Sequence, residues 1–237
     1  MVAGASSGPG PTRSAAVLQG FVAPVPDAVA RRAAAYPAGG PPVEPVPSAS
    51  VVLLRDAEGR DGSAGADGVE VYLLHRHARM PFAPSMAVFP GGKLDPVDEE
   101  SDDPTLACAC RETAEETGVV LDPATVRPWA HWVTPEIEPL RFDTSFYVAR
   151  LPEGQQPADV SGETERAGWL GARQALAARE RHELSLMPPT WSILTELAAA
   201  PDVAAVLRDA RQRVVEAVLP RLVPTGSSWV YEYRVVG

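Results

Sequence analysis

PGGKLDPVDEESDDPTLACACRETAEETGV, residues 90–119, decides how the rest of the chain is read. Its second half writes out the limits of a helix. Asp103 is an N-cap residue, Pro104 suits the first helical position, and Gly118 supplies a stop. Leu106, Cys110, Thr113 and Thr117 recur at helical spacing and predict the face that packs on a sheet; Glu112, Glu115 and Glu116 fall on a different face. Glu112 and Glu116, four apart, lie one above the other, with Glu115 beside them. Three carboxylates within roughly 6 Å repel in a poorly solvated groove, and a hard cation relieves that repulsion. Oxygen-only ligands select Mg²⁺, Mn²⁺ or Ca²⁺ over zinc, and few carboxylates with room for waters and substrate phosphates is the Mg²⁺ style of site. Arg111 is placed to pin a carboxylate by a bidentate pair. Gly91 and Gly92 stand between a strand and the acidic loop, where glycine lets backbone approach a ligand closely. The competing reading is a solvated, glutamate-rich helix face.

Upstream, SVVLLR (50–55) and VEVYLLHR (69–76) read as the two arms of a hairpin, joined by a polar, turn-rich connection over 56–68. Val69, Val71 and Leu73 share one face of the second arm, Tyr72 and Leu74 the other, so this strand is covered on both sides. MAVF (86–89) is a short strand delivering the chain to Pro90-Gly91-Gly92. Residues 126–135, 141–151 and 164–170 read as further strands, and 228–236 as a terminal one. Three helices are predicted between them, over 171–181, 188–199 and 202–219, the last carrying Val203, Val206, Leu207, Val214 and Val218 as its apolar stripe. Residues 1–48 are rich in Ala, Gly, Pro and Ser and read as a tail, partly disordered, with a short helix over 25–36. The domain is then 49–237, a single α/β unit with extra C-terminal helices.

Composition narrows the function. The chain has 237 residues, 45% apolar, and a formal charge of −10 with no basic cluster to offset it. That excludes nucleic acid held by phosphate contacts and an anionic membrane surface. An acidic chain still takes anionic substrates when metal ions lie between the two. The two cysteines, Cys108 and Cys110, are two apart on the predicted helix, do not face each other, and with four scattered histidines form no zinc motif. A reducing cytoplasm fits. No apolar run approaches the roughly 20 residues of a membrane span, and no secretory signal is visible.

The central stretch resembles the Nudix box: glycine, a spaced acid, then Arg-Glu-x-x-Glu-Glu-x-Gly and an aliphatic residue. Here that run is Arg111, Glu112, Thr113, Ala114, Glu115, Glu116, Thr117, Gly118, Val119. The resemblance implies a Nudix-type α/β/α sandwich with a mixed sheet that hydrolyses a nucleoside diphosphate linked to another moiety, using Mg²⁺ or Mn²⁺. It implies Glu112, Glu115 and Glu116 as metal ligands and Arg111 as the orienting residue. Two features depart from the pattern. The loop from Gly92 to Arg111 is longer by about five residues on the motif template. Its upstream glutamate is replaced by Asp98, counting forward from Gly92, or by Asp103, counting back from Arg111. Thr113 also stands where an aliphatic residue is usual.

FAPSMAVFPGGKLD and TPEIEPLRFDTSFYVA are similar to a branch related to coenzyme A diphosphatases, with the coenzyme A signature present only in part. Coenzyme A or its thioesters is therefore the favoured substrate, and a Nudix-fold binding or regulatory module with little turnover is the alternative. Glu163 is a candidate late carboxylate, set against an ordinary loop acid. Arg76 and Arg141 are candidates for substrate phosphate, set against surface pairing. Glu136 and Glu138 sit in a Pro-bounded loop that can reach a cleft rim, although a solvated loop is the plainer reading. His75, His77 and His131, and Trp129 and Trp132, read as surface or core residues. A small nucleotide-diphosphate substrate is the expected partner, and a closed two-fold homodimer the assembly to test.

Overall fold

The computed structural model describes residues 27–35, 41–58, 64–79, 83–160, 162, 164–226 and 228–236. Nine strands lie in one mixed sheet: β1 (Val46–Glu58), β2 (Ala64–Arg76), β3 (Ala87–Val88), β4 (Gly91–Lys93), β5 (Arg127–Val133), β6 (Phe142–Arg150), β7 (Thr164–Gly171), β8 (Ala217–Thr225) and β9 (Ser228–Val236). The spatial order is β3-β2-β1-β6-β5-β8-β9, with β4 added to β1 and β7 to β2. Pairs β1/β6 and β5/β8 are parallel; the others are antiparallel.

β1 explains the layering. Its run is apolar without alternation, so both faces must be covered. Ala49, Val51 and Leu53 point to one core, which also holds Tyr72, Leu74, Tyr147 and Ala149. Val52 and Leu54 point to the other, with Val69, Val71, Leu73, Phe146 and Val148. Helix α2 (Pro104–Thr117) covers the first face, contributing Cys108 and Ala109. Helices α3 (Ala172–Glu180), α4 (Pro188–Leu197) and α5 (Val203–Ala210) cover the second, through Ala175, Ile193, Leu194, Leu197, Val203 and Val206. Each buried Leu or Ile contributes about 1.5–3 kcal/mol. The result is the α/β/α sandwich with a mixed sheet.

The segment over 87–93 forms a wedge. It runs antiparallel to β2 at Ala87–Val88, passes Phe89 and Pro90, and then runs antiparallel to β1 at Gly91–Lys93. The carbonyl of Pro90 accepts from Val51 N–H at 2.9 Å, so the turn is sewn to β1. This places Gly91 and Gly92 in the sheet, directly beneath α2.

Helix α2 ends where its sequence says. Asp103 accepts from Leu106 N–H at 3.1 Å, Pro104 opens the helix, and Gly118 closes it at φ 71°, a left-handed conformation that disfavours side chains. Its inner face differs in part from the expected one. Thr113 and Thr117 are buried as predicted, but Cys108 and Ala109 are buried with them, and Leu106 and Cys110 lie at the margin. Thr113 suits its buried position because its hydroxyl donates to the Ala109 carbonyl at 2.7 Å.

The third C-terminal helix is a correction. It stops at Ala210, and from Ala217 the chain is strand β8, hairpinned to β9. Pro220 disfavours helix at Leu219, and Val214 and Val215 are β-branched. Pro220 and Pro224 are tolerated in the strand because β5 pairs with β8 only at Ala217 and Val218, leaving the edge beyond them open. The helix expected over 25–36 is described as α1 (Asp27–Ala35), with Arg32 bound to Glu138 at 2.6 Å; Val25, Pro26 and Tyr36 lie outside the described residues.

The Asp103 cap yields a prediction. Asp103→Ala lowers stability by about 1 kcal/mol, or ~2–4 °C in Tm for a chain of this size; thermal unfolding followed by circular dichroism checks it.

Candidate active site

Two glycines let α2 sit on the sheet. A Cβ on Gly92 would stand 2.4 Å from Cδ of Glu112, inside any allowed contact. A Cβ on Gly91 would stand 2.2 Å from Oγ of Ser50 and 2.3 Å from the Ala49 carbonyl. The bare backbone at Gly92 is thus occupied by the Glu112 carboxylate, and that at Gly91 by β1. Gly91 N–H points at the helix and donates to Oε2 of Glu116 at 2.8 Å. Strand β4 therefore fixes two of the three glutamates.

Arg111 fixes the rest. Its Nε and one terminal nitrogen donate to both oxygens of Asp98, at 3.0 and 2.8 Å. That terminal nitrogen also donates to the Lys93 carbonyl at 3.1 Å. The other terminal nitrogen bridges Oε1 of Glu112 at 2.9 Å and Oε2 of Glu115 at 3.0 Å. Five N–H groups meet five oxygen acceptors, with the Cys108 sulfur a further 3.8 Å contact, so the guanidinium is saturated. The bidentate partner is Asp98, while Asp103 is the helix cap, which separates the two readings of the upstream acid. Asp98 is 3% exposed and also accepts from Asp95 N–H at 2.9 Å. Hydrogen bonding to Arg111 holds its carboxyl below the usual range, against the upward push of burial. The same bonds hold the Arg111 guanidinium well above its ordinary pKa.

The three glutamates differ in environment. Glu112 is half-buried, and burial raises its pKa against the opposing pull of Arg111. Glu116 is buried and Glu115 is 59% exposed. Among the described residues no three His, Cys, Asp or Glu side chains converge as a ready-made metal cage. The donor set still fits Mg²⁺ or Mn²⁺, because such ions are commonly held by one or two carboxylates with waters and substrate phosphates completing the sphere. Glu112 and Glu116, held on β4, form the fixed pair, and Glu115 lies outermost.

Arg76 stands at the end of β2, opposite Thr164, its N–H bonded to the Met86 carbonyl at 3.0 Å. It is one β3–β4 segment away from Gly91. Glu163 lies outside the described residues. Arg141 is buried and donates to the carbonyls of Thr134 and Val43 at 3.0 and 2.6 Å, a structural role in place of a phosphate contact. Glu138 is engaged by Arg32, and His131 by Asp143. Trp129 and Trp132 are core. Cys108 is fully buried against the carbonyls of Gly92 and Lys93, and burial pushes its thiol up to about 12. One contributor had no signal in the sequence: Ala158 and Val160 donate backbone N–H to the carbonyls of Thr117 and Glu116 at 3.0 and 3.2 Å, closing the end of α2.

A strand–loop–helix unit with an arginine-ordered set of glutamates, mounted on a mixed α/β/α sandwich, defines a class, and comparison with known proteins agrees. The model of the NUDIX domain matches residues 44–188. The chain belongs to the Nudix domain family. It is 23% identical over 167 residues to "Putative nudix hydrolase 7" of Caenorhabditis elegans, a match covering 56% of this chain and 57% of that protein. The crystal structure of a NUDIX hydrolase from Alicyclobacillus acidocaldarius superposes with a TM-score of 0.62 at 25% identity, covering 70% of this chain and 96% of that one. A Burkholderia pseudomallei MutT NUDIX hydrolase is also similar, at 20% identity and a TM-score of 0.47, covering 65% of this chain and 98% of that one.

Two measurements test the site's construction. Asp98→Asn takes from Arg111 its bidentate carboxylate partner and lowers stability by about 3 kcal/mol near neutral pH. Because the pKa of Asp98 is depressed on folding, its contribution is complete above the ordinary carboxylate range and disappears as pH falls through the lowered value. Urea unfolding of both proteins therefore differs most at about pH 7, and the gap narrows as the pH is taken down through and below the ordinary carboxylate range. Separately, Cys108 resists iodoacetamide at about pH 8 in the folded protein and reacts once urea unfolds it, since only the thiolate is nucleophilic; mass mapping of alkylated peptides reads this.

Proposed function

We propose that the protein hydrolyses a diphosphate linkage in a nucleoside diphosphate derivative, as a divalent-metal-dependent pyrophosphohydrolase. The arrangement of Arg111 with Glu112, Glu115 and Glu116 over Gly91-Gly92 carries this reading. Glu112 and Glu116 hold Mg²⁺ or Mn²⁺, and Glu115 holds a second ion or orients the attacking water. A bound divalent ion supplies charge neutralisation for the diphosphate and makes a nearby water more acidic. The chain does the rest. Arg111, saturated by its own acceptors, keeps the glutamates in register and is a positioning residue. The water oxygen attacks one phosphorus, the bridging P–O bond breaks, and its electron pair leaves on the second phosphate. The water's proton passes to a carboxylate, for which Glu115, which is exposed, is one candidate and Glu163 of the sequence the other. Gly91 and Gly92, expected to let backbone approach the substrate, instead seat Glu116 and Glu112, and the Arg76 side chain remains the candidate for the phosphates.

The favoured substrate is coenzyme A or an acyl-coenzyme A, on the resemblance of FAPSMAVFPGGKLD and TPEIEPLRFDTSFYVA to that branch. A cytoplasmic setting suits a chain whose two cysteines are free, and no described helix is long and apolar enough to cross a membrane. A second reading has its own observation. Arg111 already neutralises Glu112 and Glu115, as a Nudix-fold module that binds nucleotides with little turnover would require.

Incubation with a panel of diphosphates and Mg²⁺, with the released phosphomonoester identified, separates the two. The hydrolase reading expects product, and Glu116→Gln and Glu115→Gln each cut turnover by ~10²-fold or more with the circular dichroism spectrum unchanged. Binding without product favours the module, and near-normal turnover in either variant refutes the assignment.

A further inference from the structure

On the sheet face opposite α2 lies a cavity of about 600 Å³, a volume suited to a small organic ligand. Its floor is the ladder between β2 and β7. Leu73 pairs with Gly168 there, and His75 with Arg166. Its wall is α3, which presents Gln174 and Ala178. Its lip is the link to α4, with Arg181, Glu183 and Leu184.

Three observations converge on a ligand. Nothing lies within 4 Å of where a Cβ on Gly168 would stand, so the middle of the floor is open where any other residue would fill it. At one end His75 and Arg166 sit directly opposite each other across the strands, so an imidazole and a guanidinium, both hydrogen-bond donors, stand side by side at the cavity. Among the described lining residues Glu183 is the single carboxylate, and it is engaged by Arg181 at 3.0 and 2.8 Å, so no described lining acid answers Arg166. Burial and Arg166 together lower the pKa of His75, with Glu165 acting the other way. The middle of the cavity is apolar, from Leu73, Leu170 and Leu184.

We propose that this cavity is a second ligand site, separate from the glutamate helix, which takes an organic phosphomonoester: phosphate between Arg166 and His75, apolar body over Gly168, and Gln174 as the orienting amide. Guanidinium meets phosphate bidentately, which makes Arg166 the anchor. None of these residues belongs to the Arg111–Glu116 set, and the site does not depend on the reaction proposed above.

Phenyl phosphate is the probe, titrated calorimetrically into the full chain in EDTA so that no divalent ion bridges it to the glutamates. Saturable binding is expected, weakened about tenfold or more by Arg166→Ala and abolished by Gly168→Leu, whose side chain fills the floor. Glu116→Gln binds as the wild type does, which keeps this result distinct from any failure of the hydrolase reading. Arg166 is exposed, so its replacement leaves the fold intact and the test holds even should Gly168→Leu unfold. Absence of saturation by about 10 mM, equal affinity in Arg166→Ala, or loss of binding in Glu116→Gln overturns the proposal.

Discussion

One guanidinium holds the acidic stretch together. Arg111 takes acceptors from a turn (Asp98), a strand (Lys93 carbonyl) and its own helix (Glu112 and Glu115). Asp98 is almost wholly out of water, and a carboxylate there without a partner would cost several kcal/mol. Paired through both oxygens, it becomes a fixed point from which the arginine is aimed. A lysine could not substitute, since one ammonium cannot present a planar fork to Asp98 and still span Glu112 and Glu115. The order of the site follows: Asp98 orders Arg111, and Arg111 orders Glu112 and Glu115.

That chain of dependence needs a rigid base, which β1 supplies. Buried on both faces and paired to β2, β4 and β6, it cannot slip without exposing one of two cores. Strand β4 takes its register from β1, so Gly91 and Gly92 are set by the most enclosed strand in the molecule. Glu116 and Glu112 are in turn set by those glycines, one through a hydrogen bond and one through the absence of a side chain. Precision at the site derives from the sheet.

What could be read from the sequence is explained by how local the physics is. Helix α2 was legible from cap to stop because Asp103, Pro104 and Gly118 act through neighbouring backbone groups. The two-faced character of β1 and β2 was legible from uninterrupted apolar runs. The third C-terminal helix failed because its apolar stripe, carried through Val214 and Val218, also fits a strand, and pairing with β9 is a tertiary decision. Pro220 was the available warning. Within the site, residue types pointed to Arg111 and the glutamates, but the choice between Asp98 and Asp103 depended on which oxygen reaches Arg111 in space. The bonds from Ala158 and Val160 to the end of α2 are backbone-only, and leave no trace in residue identity.

The lengthened loop now has a place. Asp98 reaches Arg111 early in the loop, and a short turn over Asp98–Glu100 then sends Ser101 and Asp102 into solvent before Asp103 caps the helix. The chain between Asp98 and Asp103 therefore lies outside the span that fixes Arg111. Extra residues can be carried there without moving the glutamates, because both ends are held independently, one by a bidentate pair and the other by a cap. Loop closure costs little more for a few added residues. Their consequence is on the surface: Glu99, Glu100 and Asp102 are exposed beside the site and add negative charge on the approach to it. On the function proposed above, an anionic substrate meets that charge first, which would give a reason for metal to accompany the diphosphate as it arrives.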